Sequence, residues 1–243
     1  MLLPSSVNTT MTQQSVLSEL LDRLKSEPCS YLSGCDLQHE GDRPQNLYYI
    51  QSGWVYAYVM LADGQRQILY LYQPGDIAGL SDVGMDRISC SLVSLSDCVV
   101  HAIPMKHVVS SQVLTPGVSV HLLQKSAEVQ SCLMRTLVAI GRMTARQRVV
   151  WLILMFQDKL HQRHMVANIV DVPFNQSELG DLIGLTNVSV SKVLCDLSNE
   201  GFIERKGSQI RLRRRSDLEE MIHYHAIRRL APFRGKLEST STY

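Results

Sequence analysis

None of the six cysteines in this 243-residue chain forms a C-x-x-C pair; Cys29, Cys35, Cys90, Cys98, Cys132 and Cys195 are scattered along it. That spacing excludes a small zinc knuckle or a disulfide framework and leaves reduced, mostly buried thiols as the expectation. No apolar run reaches the roughly 18 residues that span a bilayer. The opening MLLPSSVNTTMTQQSVL lacks a basic segment followed by a compact apolar core, so it does not read as a signal peptide. The expected location is the cytoplasm, without membrane contact. There is no Ser/His/Asp order, paired-carboxylate setting, phosphate loop or metal-ligand spacing, so neither an enzyme nor a bound cofactor or metal is expected. Charge of one sign is also missing: the net charge is +1.

What is present is unevenly placed. Residues 1–141 hold 8 Lys/Arg and 12 Asp/Glu, a net of −4. Residues 142–215 hold 12 and 7, a net of +5, and residues 216–243 balance 4 against 4. An acidic front and a basic back point to contact of the back part with a polyanion.

The front opens with a helical pattern over Gln14–Lys25. LYYIQSGWVYAYVMLADGQRQILYLYQPGDIAGL then supplies Tyr-, Val- and Ile-rich runs punctuated by Ser52-Gly53, Asp63-Gly64 and Pro74-Gly75-Asp76. Asp-Gly between two such runs is a hairpin signal. Further strands are expected at Ile88–Leu95 and Cys98–Ile103, giving an antiparallel β-barrel or roll over 14–116.

A helix follows over 117–141. Leu122, Ser126, Val129, Leu133, Thr136 and Ile140 repeat at intervals of 4, 3, 4, 3 and 4, which is a coiled-coil seam. Leu123, Leu137 and Val138 lie beside it, so one face is expected against the roll and the other against a second subunit. A parallel homodimer is the favoured reading; a helix packed wholly on its own domain is the alternative.

The pattern restarts after Gly141-Arg142-Met143-Thr144. ARQRVVWLILMFQDKL reads as an amphipathic helix and VANIVDVPF as a strand. Helices follow at Asn175–Ile183 and Asn187–Asn199, then a hairpin turning at Lys206-Gly207-Ser208. Over 142–215 that order is a winged helix-turn-helix; residues 216–243 read as one more helix and a tail. Gly184 suits the turn and Thr186 the N-cap of the second helix. Asn187, Val188, Ser189, Ser191, Lys192 and Cys195 are left for an outer face. Asn suits adenine, Lys guanine O6/N7, and the Val methyls a thymine methyl, so this helix is expected in a major groove of double-stranded DNA. Gln176, Ser177 and the wing residue Lys206 are placed for phosphates. Arg142, Arg146 and Arg148 are expected to touch phosphates or to brace the domains. Cys195, on the same helix, is a candidate redox-sensitive thiol, with a semi-buried packing thiol as the alternative.

These segments together resemble the Crp/Fnr superfamily of bacterial transcription regulators, from about Leu17 to Leu218. The resemblance rests on GDRPQNLYYIQSGWVYAYVMLADGQRQILYLYQPGDIAGL, the long helix, ARQRVVWLIL and QSELGDLIGLTNVSVSKVLCDLSNEGFI. It implies an α+β chain: a cyclic-nucleotide-binding-like β-roll (a double-stranded β-helix), a dimerisation helix and a winged helix that reads a palindrome. It also implies contact with RNA polymerase.

Three departures from the family pattern stand out. The cyclic-AMP cassette is Gly-Glu-Leu, about ten residues, then Arg-Ser or Arg-Thr; here the run is AGLSDVGMDRISCSL, with Gly79 and Leu80 adjacent and Arg87 beside Asp86. Tight cyclic-AMP binding is not expected. The early cysteines number two, Cys29 and Cys35, too few for the family's iron–sulfur cluster; His39, His101 and His107 are unassigned. Val188 and Lys192 stand where many members place a Glu and an Arg, so a different half-site is expected. The function implied is a sequence-specific, homodimeric transcription regulator with an unknown effector. The rival is a regulatory module that acts through protein contacts without DNA.

Overall fold

A computed structural model of the chain describes residues 20–109, 114–161, 169–171, 174–207 and 209–226. Of the expected first helix, residues 20–24 are helical and 14–19 lie outside the described residues.

Two four-stranded antiparallel sheets form the front. One has the order β1 (Pro28–Tyr31), β8 (Cys98–Pro104), β3 (Asn46–Ser52), β6 (Ile77–Ala78); the other has β2 (Asp36–Gln38), β7 (Ser91–Ser94), β4 (Val55–Met60), β5 (Arg66–Tyr72). Period-2 side chains of both contribute Ile50, Val55, Ile68, Leu92 and Val100 to one core, each buried to 1 % exposure or less. The Asp63-Gly64 signal lies in the β4–β5 connection: Asp63 Oδ1 accepts from the Gln65 N–H at 3.0 Å, and Gly64 takes φ 83°. The expected strand Ile88–Leu95 is shorter, because the Ser89 N–H and hydroxyl turn to the Asp82 carboxylate before pairing begins at Ser91.

After a short helix α1 (Met105–Val109), the long helix α2 runs over Pro116–Arg142. Thr115 caps it by accepting from Val118 N–H at 3.3 Å, and Pro116 sits where no N–H is needed. Val118, His121, Leu122, Lys125, Cys132, Thr136 and Ala139 are buried along it. Lys125 reaches Asp76 of the roll at 3.3 Å and Glu128 at 3.0 Å.

Helix α3 (Ala145–His161) is the hub of the back half, with residues 149–156 buried throughout. Around it stand β9 (Ile169–Asp171), α4 (Gln176–Ile183), α5 (Asn187–Asn199), β10 (Ile203–Lys206) and β11 (Gln209–Leu212), with sheet order β10-β11-β9. Of the VANIVDVPF segment the strand is Ile169–Asp171; residues 166–168 and 172–173 lie outside the described residues, as does Ser208 of the wing turn. Helix α6 (Arg215–Met221) packs back: Arg215 donates to Gln157 Oε1 at 2.5 Å and Asp158 Oδ1 at 2.7 Å, and Tyr224 Oη to Asp158 Oδ2 at 2.8 Å. A boundary at 215 therefore cuts a unit that continues at least to Tyr224. Residues 227–243 of the tail lie outside the described residues.

Candidate nucleic-acid interface

Two capped helices and one tight turn build the reading head. Asn175 caps α4 reciprocally with Glu178: Asn175 Oδ1 accepts from the Glu178 N–H at 3.0 Å, and Glu178 Oε2 from the Asn175 N–H at 2.8 Å. This holds Ser177 exposed and Gln176 half-buried in the first turn. Gly184 ends α4 with φ 64°, the left-handed conformation its position requires. Gly180 is one residue that sequence reading missed. A Cβ there would stand 2.3 Å from the Leu185 carbonyl oxygen, so the turn can pass over α4 only at a glycine. The unused signal was a glycine in the middle of an otherwise good helix.

Thr186 caps α5, accepting from the Ser189 N–H at 3.2 Å, and its hydroxyl lies 2.9 Å from the Ser189 hydroxyl. Both hydroxyls are thus tied into the cap, and Ser189 and Ser191 are half-buried rather than fully outward. The exposed residues are Asn187, Val188 (72 %), Lys192, Cys195 and Asn199. Positions 188, 192, 195 and 199 form one stripe at helical spacing. Asn199, whose Nδ2 approaches Cys195 Sγ at 3.6 Å, belongs to this stripe and was not anticipated. The opposite face buries Val190, Leu194 and Leu197.

Electrostatics of the neighbourhood follow from its ion pairs. Arg146 holds Glu200 bidentately at 2.7 and 2.6 Å, keeping that carboxyl below the usual range. Glu204 pairs with Arg213. Lys192, Arg205, Lys206 and Arg211 are exposed, with no carboxylate paired to them among the described residues. The wing thus offers Arg205 and Arg211 beside the expected Lys206. Of the three arginines at the start of this unit, Arg146 and Arg148 make their contacts within the unit itself rather than between the domains: Arg148 donates to the carbonyls of Met143, Ile183 and Gly184 at 3.0, 3.2 and 3.3 Å. Arg142 is exposed.

The expected seam on α2 needs correction. Leu122 and Thr136 are buried by their own chain at 9 % and 8 % exposure, and Val129 and Ile140 are half-buried. Ser126 and Leu133 remain exposed. The outward apolar stripe is Leu123 (70 %), Leu133, Met134, Leu137 (72 %) and Val138. The helix is turned by about one residue from the expected seam, because Leu122, Cys132, Thr136 and Ala139 fill its own-chain side.

Comparison with known proteins meets this geometry at both ends. The cyclic nucleotide-binding domain family matches residues 28–110, the roll, and the Crp-like helix-turn-helix domain family matches residues 147–221, the unit around α3. The chain belongs to the Crp/Fnr superfamily of transcription regulators. The match of this Crp/Fnr chain to the second family ends with α6, in keeping with the packing of Arg215. The transcriptional activator protein FnrA of Stutzerimonas stutzeri is 23 % identical over 211 residues, covering 86 % of this chain and 84 % of FnrA. The nitrogen fixation regulation protein FixK of Bradyrhizobium diazoefficiens is 24 % identical over 174 residues, 71 % of this chain and 72 % of its own. The structure of FixK2 from Bradyrhizobium japonicum superposes with a TM-score of 0.74 at 26 % identity, covering 83 % of this chain and 99 % of that one. The Crp/Fnr protein described here is a DNA-binding transcription regulator.

His101 places Nδ1 3.1 Å from the Ser26 carbonyl and Nε2 3.0 Å from Gln51 Oε1, so both ring nitrogens are taken. Among the described residues no group of three or more His, Cys, Asp or Glu is arranged to hold a metal ion.

Proposed function

We propose that this regulator binds a palindromic operator as a homodimer, each subunit laying α5 in one major groove. The outward stripe of α5 supports this most directly. Asn187, Val188, Lys192 and Asn199 present base-reading chemistry, and Gln176, Ser177 and Lys206 supply phosphate contacts from the helix start and the wing; Thr186, Ser189 and Ser191 lie at the start of α5, Thr186 and Ser189 with their hydroxyls held in the cap. Cys195, exposed on the same stripe, makes the contact sensitive to oxidation: a thiol converted to an acid adds charge against DNA.

Dimerisation would run along α2. Leu123 and Leu137 are fourteen residues apart, two heptads, with Leu133 and Met134 between them, all exposed. Such a row facing water is accounted for when a second copy covers it. A two-fold pair of reading heads then meets half-sites about 34 Å apart. Relatives named as activators support contact between this protein and RNA polymerase in the cytoplasm.

Selection of bound duplexes from a random pool by the purified chain, followed by salt titration, tests this reading. A palindrome with a steep salt slope is the expected result. No enriched sequence and no salt dependence would favour the reading in which the chain acts through protein contacts.

A further inference from the structure

The match of the roll to a cyclic nucleotide-binding domain requires a test of fit. A cyclic nucleotide brings one negative phosphate, and a site for it needs N–H and O–H donors and a cation converging on one point. The run that corresponds to the phosphate cassette has such donors, but they already meet a carboxylate. Asp82 ends the turn Leu80–Asp82 and is 1 % exposed. Its Oδ1 accepts from the Ser89 N–H at 3.1 Å and the Ser89 hydroxyl at 2.7 Å. Its Oδ2 accepts from Gln38 Nε2 at 3.1 Å, and the same amide donates to the Cys90 carbonyl at 3.1 Å. One side chain thereby ties the turn, strand β2 and the approach to β7. The cation of the run points away: Arg87 is exposed and donates to the Gly41 carbonyl at 3.2 Å. The thiol of Cys90 is pushed up to about 11, by burial first and by the Asp82 charge second.

We propose that Asp82 is a built-in anion: its carboxylate fills the place where a cyclic nucleotide's phosphate would be held, so the roll is set without an effector and does not take cyclic nucleotides. A phosphate could enter only by displacing Asp82 from its donors or by lying against a like charge, and both oppose binding. The converse also follows. Removing the carboxylate leaves the Ser89 and Gln38 donors around a gap of carboxylate size, a site for a small oxyanion such as formate. This concerns the roll alone and stands apart from the DNA reading.

The test uses the full chain. Wild type is titrated calorimetrically with cyclic AMP and cyclic GMP into the millimolar range. Melting midpoints of wild type, Asp82→Ala and the exposed control Asp86→Ala are compared in sodium chloride and sodium formate at equal ionic strength. We expect no saturable heat with wild type. We also expect a midpoint several degrees lower for Asp82→Ala, raised by formate in that variant more than in the other two. Saturable micromolar binding of either nucleotide by wild type overturns the proposal, and so does an Asp82→Ala midpoint that equals wild type or ignores formate. Should Asp82→Ala not fold, the wild-type titration still decides.

Discussion

Arg66 and Asp181 meet at 2.8 Å across the boundary between the roll and the helix-turn-helix. Arg66 also donates to Tyr56 Oη at 2.6 Å, and the neighbouring Gln67 Nε2 donates to the Asp181 carbonyl at 2.6 Å. Lys159 adds a bond to the Leu71 carbonyl at 3.0 Å and lies 3.8 Å from the centre of the Tyr70 ring. The β4–β5 hairpin thus grips α4 and fixes the reading head relative to the roll. Both partners are 28 % exposed, so the pair is worth about 1 kcal/mol or less. Arg66→Ala is expected to lower the melting midpoint by about 2–4 °C and to speed amide exchange over 176–183. Additive effects of Arg66→Ala and Asp181→Asn in the double variant would show that the pair is not coupled.

Substitutions at Lys192 of α5 and Lys206 of the wing should separate base reading from phosphate binding. Lys192→Ala is expected to cost about 1–3 kcal/mol on the selected operator and to relax preference at one position. Lys206→Ala should weaken all sequences alike and reduce the salt slope by about 1. Binding isotherms on matched and mismatched duplexes across salt distinguish the two; identical behaviour of both variants would remove the base-reading role from Lys192.

The two sides of α2 predict opposite behaviour. Leu137→Glu should yield a folded monomer by light scattering, because a charge enters the outward stripe. Leu122→Ala should keep the oligomeric state and lose about 2–5 kcal/mol of stability, because it opens a cavity in the chain's own core. A Leu137→Glu dimer as tight as wild type would move the interface elsewhere.

His121 gives a pH dependence with a defined sign. Its ring is buried, and Nε2 has no hydrogen-bond partner among the described residues. Burial, and secondarily the Lys125 charge, lower its pKa below the ordinary 6.5, while Glu128 opposes them. The unfolded chain therefore binds the proton more readily. This contribution to stability is present above pH 6.5 and is lost as pH falls from there toward the folded value. Melting midpoints from pH 7.5 to 5 should fall less steeply in His121→Gln than in wild type; equal slopes would clear His121 of the effect.

Cys195→Ser should bind the operator as wild type does under reducing conditions and resist a peroxide treatment that weakens wild type. Equal peroxide sensitivity in both would exclude this thiol.

Element order, turns and caps were legible in the sequence because they are local. Asp63-Gly64, Gly184 and the cap Thr186 act within a few residues, and α5 begins and ends at Asn187 and Asn199 as its periodicity indicates; the first helix of the pair instead starts one residue later than expected, with Asn175 as its cap. The face of α2 was not legible. Leu122 with Leu123, Leu133 with Met134, and Thr136 with Leu137 offer adjacent candidates about 100° apart, and only the packing of the roll and α3 chose between them. Asp82 with Gln38, Arg146 with Glu200 and Arg66 with Asp181 are 44, 54 and 115 residues apart in sequence. No periodicity links residues so distant. The tertiary fold alone decided that these side chains meet one another.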